Sequence, residues 1–489
     1  MKTALASLVL GFLVALWLTP IVRRMALRLN LLDRPEDARR VNLTAIPRIG
    51  GLAIAAAVLA PLIGLALYKN QISAEMYRDG RNLVAMLAGA LGALVVGLID
   101  DLLRPPAKYR LLALVGIAIV SWQGGHRLDH IEVPYIGVFE LGYWSLPATV
   151  LWIVTVIVAF NFIDGLDGLA AGVAFISTTT MFVFAYLEHN LLWMTWTGAM
   201  SGALLGFLVF NSHPASIFMG DSGSNFLGYL MAVVAMQSAR KQSAAVAMLL
   251  PMLAMGLPLL DAGLTMIRRA ILRQGLFVSE KGHLHHRLLD LGLTQRRAVL
   301  ILYGVSVLLS LGGIAFLVRL PMVHFGAAVG ITVAVFGLMF AAGYLRPRDL
   351  LEMYRRGLLN REAQRLLETT CDEAVASHGR GAGDGDSLRR ALGSVVAGGG
   401  VSGISYRAPD GAEIVAGDYN ESEKGLRATV ENGTAASGVI RVFWKGRTNG
   451  VSPRELAALR RLRDCLAGIP RPDDSTPPPP RSAEESESQ

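Results

Sequence analysis

The chain is expected to be an all-α polytopic membrane protein carrying a small α+β domain at its C-terminal end. Three observations predict this. Of 489 residues, 53% are hydrophobic and only 17% charged, whereas soluble chains carry about a quarter charged residues. Apolar stretches close to bilayer length recur up to residue 344, and the composition turns polar after about 345. A spanning helix needs about 20 mainly apolar residues. That template predicts eleven spans, at about 3–22, 48–68, 82–100, 108–124, 145–163, 166–187, 191–210, 222–238, 243–266, 297–318 and 321–344. The first run, Leu5 to Leu18, lacks a small-residue cleavage site and reads as a retained span rather than a signal peptide.

Loop charge orients these segments. Arg23, Arg24, Arg28, Arg34, Arg39, Arg40 and Arg48 follow the first span. Arg268, Arg269, Arg273, Lys281, Arg287, Arg296 and Arg297 lie between spans nine and ten. The positive-inside bias makes both loops cytoplasmic, with the N-terminus outside and the C-terminal part inside. Arg240 and Lys241 run against the trend. The net charge of +8 then belongs to inner loops and anionic lipid, and not to nucleic acid, because no nucleic-acid-binding module accompanies it. Cys371 and Cys465 offer neither metal-ligand spacing nor a disulfide framework.

Beyond the transmembrane part, 1–345, residues 346–375 carry a helical apolar stripe in "RDLLEMYRRGLLNREAQRLLETTCDEA". A Gly-rich linker opens 376–470, where "VSGISYRA" and "SGVIRVFW" read as strands. "SPRELAALRRLRDCLAGI" reads as a helix with Ser452 as N-cap and Glu455 completing a capping box. Residues 471–489 are low-complexity and expected to be disordered.

Polar residues at the span ends gather on one side of this topology. Asp100 and Asp101 end span three in "GLIDDLLRPPAKYR"; Asn161, Asp164 and Asp167 sit between spans five and six in "NFIDGLDGLAAG". Asp221 opens span eight in "FMGDSGSNFLGYL", and His283, His285 and His286 lie in the basic inner loop as "KGHLHHR". Each has a plainer reading: a solvated helix end for the acidic pair, an N-cap for Asp164, Asp167 or Asp221, a surface loop or a transition-metal site for the histidines. A carboxylate within hydrocarbon is unfavourable by about 2.5–3.5 kcal/mol on insertion scales, so clustering on one face favours a shared functional site. Hard Mg²⁺ takes oxygen ligands and leaves positions for water and phosphate. Phosphoryl transfer needs alignment and charge neutralisation more than covalent chemistry. Arg104 and Lys108 could hold phosphate oxygens, and Phe218 could offer a stacking face. A proton- or ion-coupled transporter is the rival class, but it calls for midplane charges and inverted repeats.

"GLIDD" followed by Lys108, "NFIDGLDGLAAG", "FMGDSGSNFLGYL" and "HLHHR" resemble, in order, the cytoplasmic motifs of the polyprenyl-phosphate N-acetylhexosamine-1-phosphate transferases, over roughly 1–345. "DRPEDARRVNLTAIPRIGGLAI" resembles the branch making undecaprenyl-diphospho-GlcNAc, whereas the phospho-MurNAc-pentapeptide branch has a "TPTMGG"-like run there. The resemblance implies transfer of a sugar 1-phosphate from a UDP-N-acetylhexosamine to undecaprenyl phosphate with release of UMP, at the bacterial cytoplasmic membrane. It implies Mg²⁺, replaceable by Mn²⁺, on Asn161 and Asp221. It places Asp100 and Asp101 at the reacting phosphates, one of them as proton acceptor, and Lys108 as a phosphate anchor. Asp33, Arg48, Asp164, Asp167, Phe218, His283, His285 and His286 fall at substrate-binding positions. Asn42 stands where that branch often has His, which bears on acceptor or sugar preference. A UDP-MurNAc-pentapeptide or another UDP-sugar is the alternative donor, and a homodimer the expected assembly.

Overall fold

The computed structural model describes residues 1–33, 46–68, 71–133, 137–240, 246–272, 283–315 and 321–341, with shorter stretches between 365 and 466. The chain divides into two units: Met1–Thr265 with Glu280–Arg346, and Met266–Ser279 with Pro347–Gln489.

The first unit is built of helices. In chain order these are α1 (Lys2–Arg28), α2 (Gly51–Leu67), α3 (Gln71–Arg78), α4 (Gly80–Leu103), α5 (Ala107–Gln123) and α6 (Ser145–Ile163). There follow α7 (Leu169–Leu187), α8 (Leu191–Asn211), α9 (Gly220–Arg240), α10 (Val246–Ala254), α11 (Gly256–Leu272), α12 (Leu284–Asp290), α13 (Gln295–Ala315) and α14 (Pro321–Ala341). Two short antiparallel ribbons interrupt them: β1 (Leu32–Asp33) with β2 (Ile46–Pro47), and β3 (His130–Val133) with β4 (Gly137–Glu140).

A helix falls on each of the eleven expected segments, although 243–266 is split into α10 and α11. Among the described residues, six helices are long and apolar enough to cross a membrane: α1, α4, α6 with the turn before it, α7, α8 and α13. A seventh is added if α2 and the bent α3 count as one. The others fall short for readable reasons. Helices α2 and α5 span 17 residues each, and α9 opens with the polar run "GDSGSN".

Burial follows the pattern of side chains. Helix α9 is enclosed on every side from Phe226 to Met236, as expected of a helix apolar all round. It packs on α2, α4, α6, α7 and α10. Helix α8 presents Gly198, Gly202 and Gly206 to the backbone of α1 near Ala4, Leu8 and Phe12, a small-residue stripe that lets two helices approach closely. The outer faces carry exposed apolar side chains such as Leu13, Trp17 and Leu151, as a lipid-facing surface requires.

The second unit contains a four-stranded antiparallel sheet, β5 (Gly403–Arg407), β6 (Glu413–Gly417), β7 (Gly425–Val430) and β8 (Val439–Lys445), in the order β6-β5-β8-β7. Helix α15 (Pro453–Leu466) buries Ala458, Leu459 and Leu462 in a core with Ile404, Tyr406, Ile440 and Val442. The expected cap Ser452 lies outside the described residues.

Candidate active site

One end of the first unit collects charge. Helix α4 delivers Asp100 and Asp101 in its last turn; α5 delivers Arg110 in its first; α6 ends with Asn161 and is followed by Asp164; α9 begins at Gly220–Asp221. Arg48 arrives on the chain that leads into α2. Main-chain bonds tie that segment to the entry of α9: Phe218 N–H donates to Pro47 O (2.8 Å), Gly50 N–H to Phe218 O (3.0 Å) and Gly51 N–H to Met219 O (2.8 Å).

Asp221 is the hub. Its Oδ1 accepts from Arg48 Nη2 (2.9 Å) and Asn161 Nδ2 (3.0 Å), and its Oδ2 from Arg110 Nη1 (3.2 Å). The same Arg110 nitrogen is paired with Asp100. Asn161 also donates to Ser224 Oγ (3.2 Å). The side chain of Asp221 is therefore held by other elements and does not cap its own helix.

The side chain of Asp101 is fully buried. It accepts the main-chain N–H groups of Asp221 (2.8 Å) and Ser222 (2.9 Å), with Arg48 Nε 3.3 Å away. A carboxylate there satisfies two orphan donors of the first turn of α9 and sits favourably at the helix dipole. Asp100 is 7% exposed, so neither member of the pair is a solvated helix end. Gly220 makes this approach feasible. It has φ +74°, and a Cβ there would lie 2.6 Å from Asp101 Oδ2.

Asp164 accepts the Gly220 N–H. Burial pushes its carboxyl up to about 7, opposed by Arg48 and reinforced by Asp221 and Asp101. Asp167 is turned inward, 3% exposed, with Oδ2 accepting from Ala215 N (3.1 Å) and 2.7 Å from His213 Nδ1. It fastens the loop between α8 and α9.

The histidines pack beside this segment. His285 lies against Gly165, where a side chain would collide with its ring. The His283 ring is 5.0 Å from Phe162 and stacks on His285 at 5.7 Å; His286 is 4.3 Å from His285. Both ring nitrogens of His285 are buried without a hydrogen-bond partner. Burial, with His286 and His283 adding, holds its pKa well below the ordinary histidine value. Asp261 of α11 anchors the cluster: Oδ2 is 3.0 Å from His283 Nδ1, and Oδ1 accepts from Leu284 N (2.8 Å).

The structure thus brings together Arg48, Asp100, Asp101, Asn161, Asp164 and Asp221, with His283, His285 and His286 alongside. The α5 cation in contact with the carboxylates is Arg110; the expected Lys108 is exposed, its Nζ 5.0 Å from the centre of the Tyr109 ring. Phe218 is half-buried and contributes main-chain bonds. The side chain of Asp33, and the whole of Asn42, lie outside the described residues.

The sequence profile of glycosyl transferase family 4 matches residues 83–239, the stretch from α4 to α9 that supplies most of the cluster. A probable undecaprenyl-phosphate N-acetylglucosaminyl 1-phosphate transferase of Bacillus subtilis is 35% identical over 309 residues, covering 63% of this chain and 83% of that protein. The chain belongs to this transferase family. A second relative in it, the decaprenyl-phosphate N-acetylglucosaminephosphotransferase of Mycobacterium tuberculosis strain H37Rv, is 33% identical, with 58% and 74% covered. A phospho-N-acetylmuramoyl-pentapeptide-transferase of Halalkalibacterium halodurans is 27% identical over 253 residues, 48% of this chain and 75% of that one. The family profile ends before the histidine cluster and begins after Arg48, so the two flanks of the site are supplied from outside the matched stretch.

Proposed function

We propose that this protein transfers N-acetylglucosamine 1-phosphate from UDP-N-acetylglucosamine to undecaprenyl phosphate, releasing UMP, as a multi-pass enzyme of the bacterial cytoplasmic membrane. The observation that carries the reading is the Asp221-centred cluster at one end of the helix bundle, in a chain whose relatives are named for this transfer. In the reaction an oxygen of the lipid phosphate attacks the sugar-bearing phosphorus of the donor. The bond to the uridylyl phosphate breaks, and one diphosphate linkage replaces another.

The donor set suits Mg²⁺. Asp100, Asp101, Asp164 and Asp221 set four carboxyl groups against the two guanidiniums of Arg48 and Arg110, an oxygen-rich donor set of the kind a hard divalent cation takes. Among the described residues no three Asp, Glu, His or Cys side chains converge as a closed cage. An ion here takes part of its shell from phosphate and water, as Mg²⁺ commonly does. Asp221 and Asn161 would hold it, with Mn²⁺ as a substitute; when bound, the metal supplies charge neutralisation on the diphosphate.

The chain's own residues do the rest. Asp101, committed to the first turn of α9, fixes where Asp221 stands. Asp100, 7% exposed where the Asp101 side chain is fully buried, would accept the last proton of the acceptor phosphate. Arg48 and Arg110, held at the carboxylates, would offer their guanidinium groups to phosphate oxygens, which guanidiniums bind well. His283, His285 and His286 close on the nucleotide-sugar, and Asp167 holds the α8–α9 loop at its edge.

The test is mass spectrometry of the lipid formed from undecaprenyl phosphate and a panel of UDP-sugars, with UMP release measured in parallel. Undecaprenyl-diphospho-GlcNAc as the main product is expected. A product formed only from UDP-MurNAc-pentapeptide would move the chain to the other branch, and no lipid product from any donor would overturn the reading.

A further inference from the structure

We propose that the protein has a second ligand site, for the headgroup of a zwitterionic, amine-bearing phospholipid, at the end of the helix bundle remote from the carboxylates. A cavity of about 390 Å³ lies there between α3, the start of α4, the start of α8, the end of α9 and the turn after α5. Asn82 at this cavity and Asp100 at the other end share helix α4, about 27 Å apart at the α-helical rise. Asp221 and Gln237 share α9, about 24 Å apart. Those spans approach the ~30 Å thickness of a hydrocarbon core. The cavity therefore opens near the opposite membrane surface. Tyr68, Tyr77, Tyr143 and Trp144, all strongly exposed, lie at the same helix ends and mark the interfacial level where aromatic side chains collect.

The lining has two chemically distinct walls. One is apolar, formed by Met76, Leu83, Met86, Leu192, Trp193 and Trp196. The other carries Glu75, Arg78 and Asp79, with Asn82, His126 and Gln237 behind them. The polar wall is built, not incidental. His126 is 1% exposed; its Nε2 is 2.9 Å from the Asn82 carbonyl oxygen, which can only accept, so that nitrogen carries the proton. Its Nδ1 then accepts from Gln237 Nε2 at 2.6 Å. Asp79 caps α4 through the Asn82 main chain and is paired with the Asn82 amide.

Two carboxylates, one guanidinium and two indoles in one cavity suit an ammonium joined to a phosphodiester. The ammonium goes to Glu75 and Asp79, with two indoles, side chains that attract cations, in the same lining. The phosphodiester goes to Arg78, and the glycerol end lies on Met86 and Trp193. A neutral sugar has no use for the paired opposite charges, and an anionic headgroup would meet two carboxylates. The volume lies within the roughly 300–1,000 Å³ of small-molecule sites, enough for a headgroup with its glycerol while acyl chains remain in the bilayer.

The test uses the full-length protein in detergent and native mass spectrometry, with phosphatidylethanolamine and phosphatidylglycerol of matched acyl chains. Wild type should retain one phosphatidylethanolamine about tenfold more strongly than phosphatidylglycerol, the scale of one charge-assisted bond. Glu75→Gln should abolish that preference and Arg78→Gln should weaken retention of both lipids. Neither variant should change transferase turnover, because both side chains are far from the carboxylate cluster. Equal retention of the two lipids by wild type overturns the proposal. So does a Glu75→Gln protein that keeps the preference, or displacement by water-soluble glycerophosphoethanolamine at concentrations matching the lipid, which would assign the cavity to a soluble ligand.

Discussion

Each oxygen of Asp221 meets a different arginine, and that single carboxylate joins four elements. Asp221→Asn should lower turnover by about 100-fold or more if Asp221 holds the metal as proposed, because one hard anionic ligand would be lost where charge neutralisation drives the chemistry. Asn161→Ala should also be slow, yet partly recover as Mg²⁺ or Mn²⁺ is raised; turnover against metal concentration distinguishes the two. An active Asp221→Asn protein with normal metal dependence would remove the metal assignment. Asp164 offers a separate check in its pKa. Its folded pKa is raised from 3.8 to about 7, so the native state binds its proton more tightly than the unfolded chain does, and its ionisation opposes folding as pH rises through that window. In EDTA, Asp164→Asn should therefore raise the apparent Tm at pH 8 and leave it unchanged at pH 4. Asp261 was not singled out in the sequence, although a lone carboxylate in "GLPLLDAGL" carried the same signal as the others. Asp261→Ala should raise KM for the UDP-sugar more than it lowers kcat, since it positions the His283 loop and not the reacting phosphates. Arg110 was missed for a geometric reason. Lys108 and Arg110 are two residues apart on one helix and face nearly opposite ways, so only one can reach the cluster, and the sequence does not say which.

At the scale of elements, the site depends on how closely α4 and α9 approach. A Cβ on Gly97 would collide with the backbone of Asp221 and Ser222, whereas one on Gly92 would meet only the end of the Ile117 side chain at 3.3 Å. Overpacking of this kind costs about 1–3 kcal/mol and shifts backbone. Gly97→Ala should therefore reduce turnover at least tenfold in protein that still inserts and purifies, while Gly92→Ala, on the same helix, should stay near wild type. Equal activity for the two would mean that the α4–α9 contact does not set the position of Asp221. Most helices were legible from apolar length alone, because a lipid-exposed helix must be apolar over its whole run. The break between Val246–Ala254 and Gly256–Leu272 was not, though Pro251 and Gly256 lie beside it. Helix α3 was missed because it is eight residues long, below what a spanning template detects. The tie between Pro47–Gly51 and Phe218–Met219 was also invisible, since main-chain pairing over such a separation leaves no local pattern.

The whole molecule has two chemically different ends, and that polarity makes the orientation testable. The carboxylates, guanidiniums and histidines gather where α4 and α6 end and α5 and α9 begin; Tyr143 and Trp144 are exposed at the other end of α6. The distribution of Arg and Lys, and a donor made in the cytoplasm, predict that the first end faces inside. Leu284, although in the histidine loop, is 2% exposed and would make a poor probe; Lys108 and Tyr143 are exposed. With the native cysteines replaced, Lys108→Cys should resist a membrane-impermeant maleimide in spheroplasts and react in inverted vesicles. Tyr143→Cys should behave in the opposite way, reacting in spheroplasts and protected in inverted vesicles. The two probes share one helical unit, so a reciprocal pattern cannot arise from differences in expression or folding between preparations. Reversal of both would put the carboxylates outside, away from any UDP-sugar, and the transferase reading would fall with the topology. Labelling of both from the same side would instead mean that the helices between them do not cross the membrane an odd number of times.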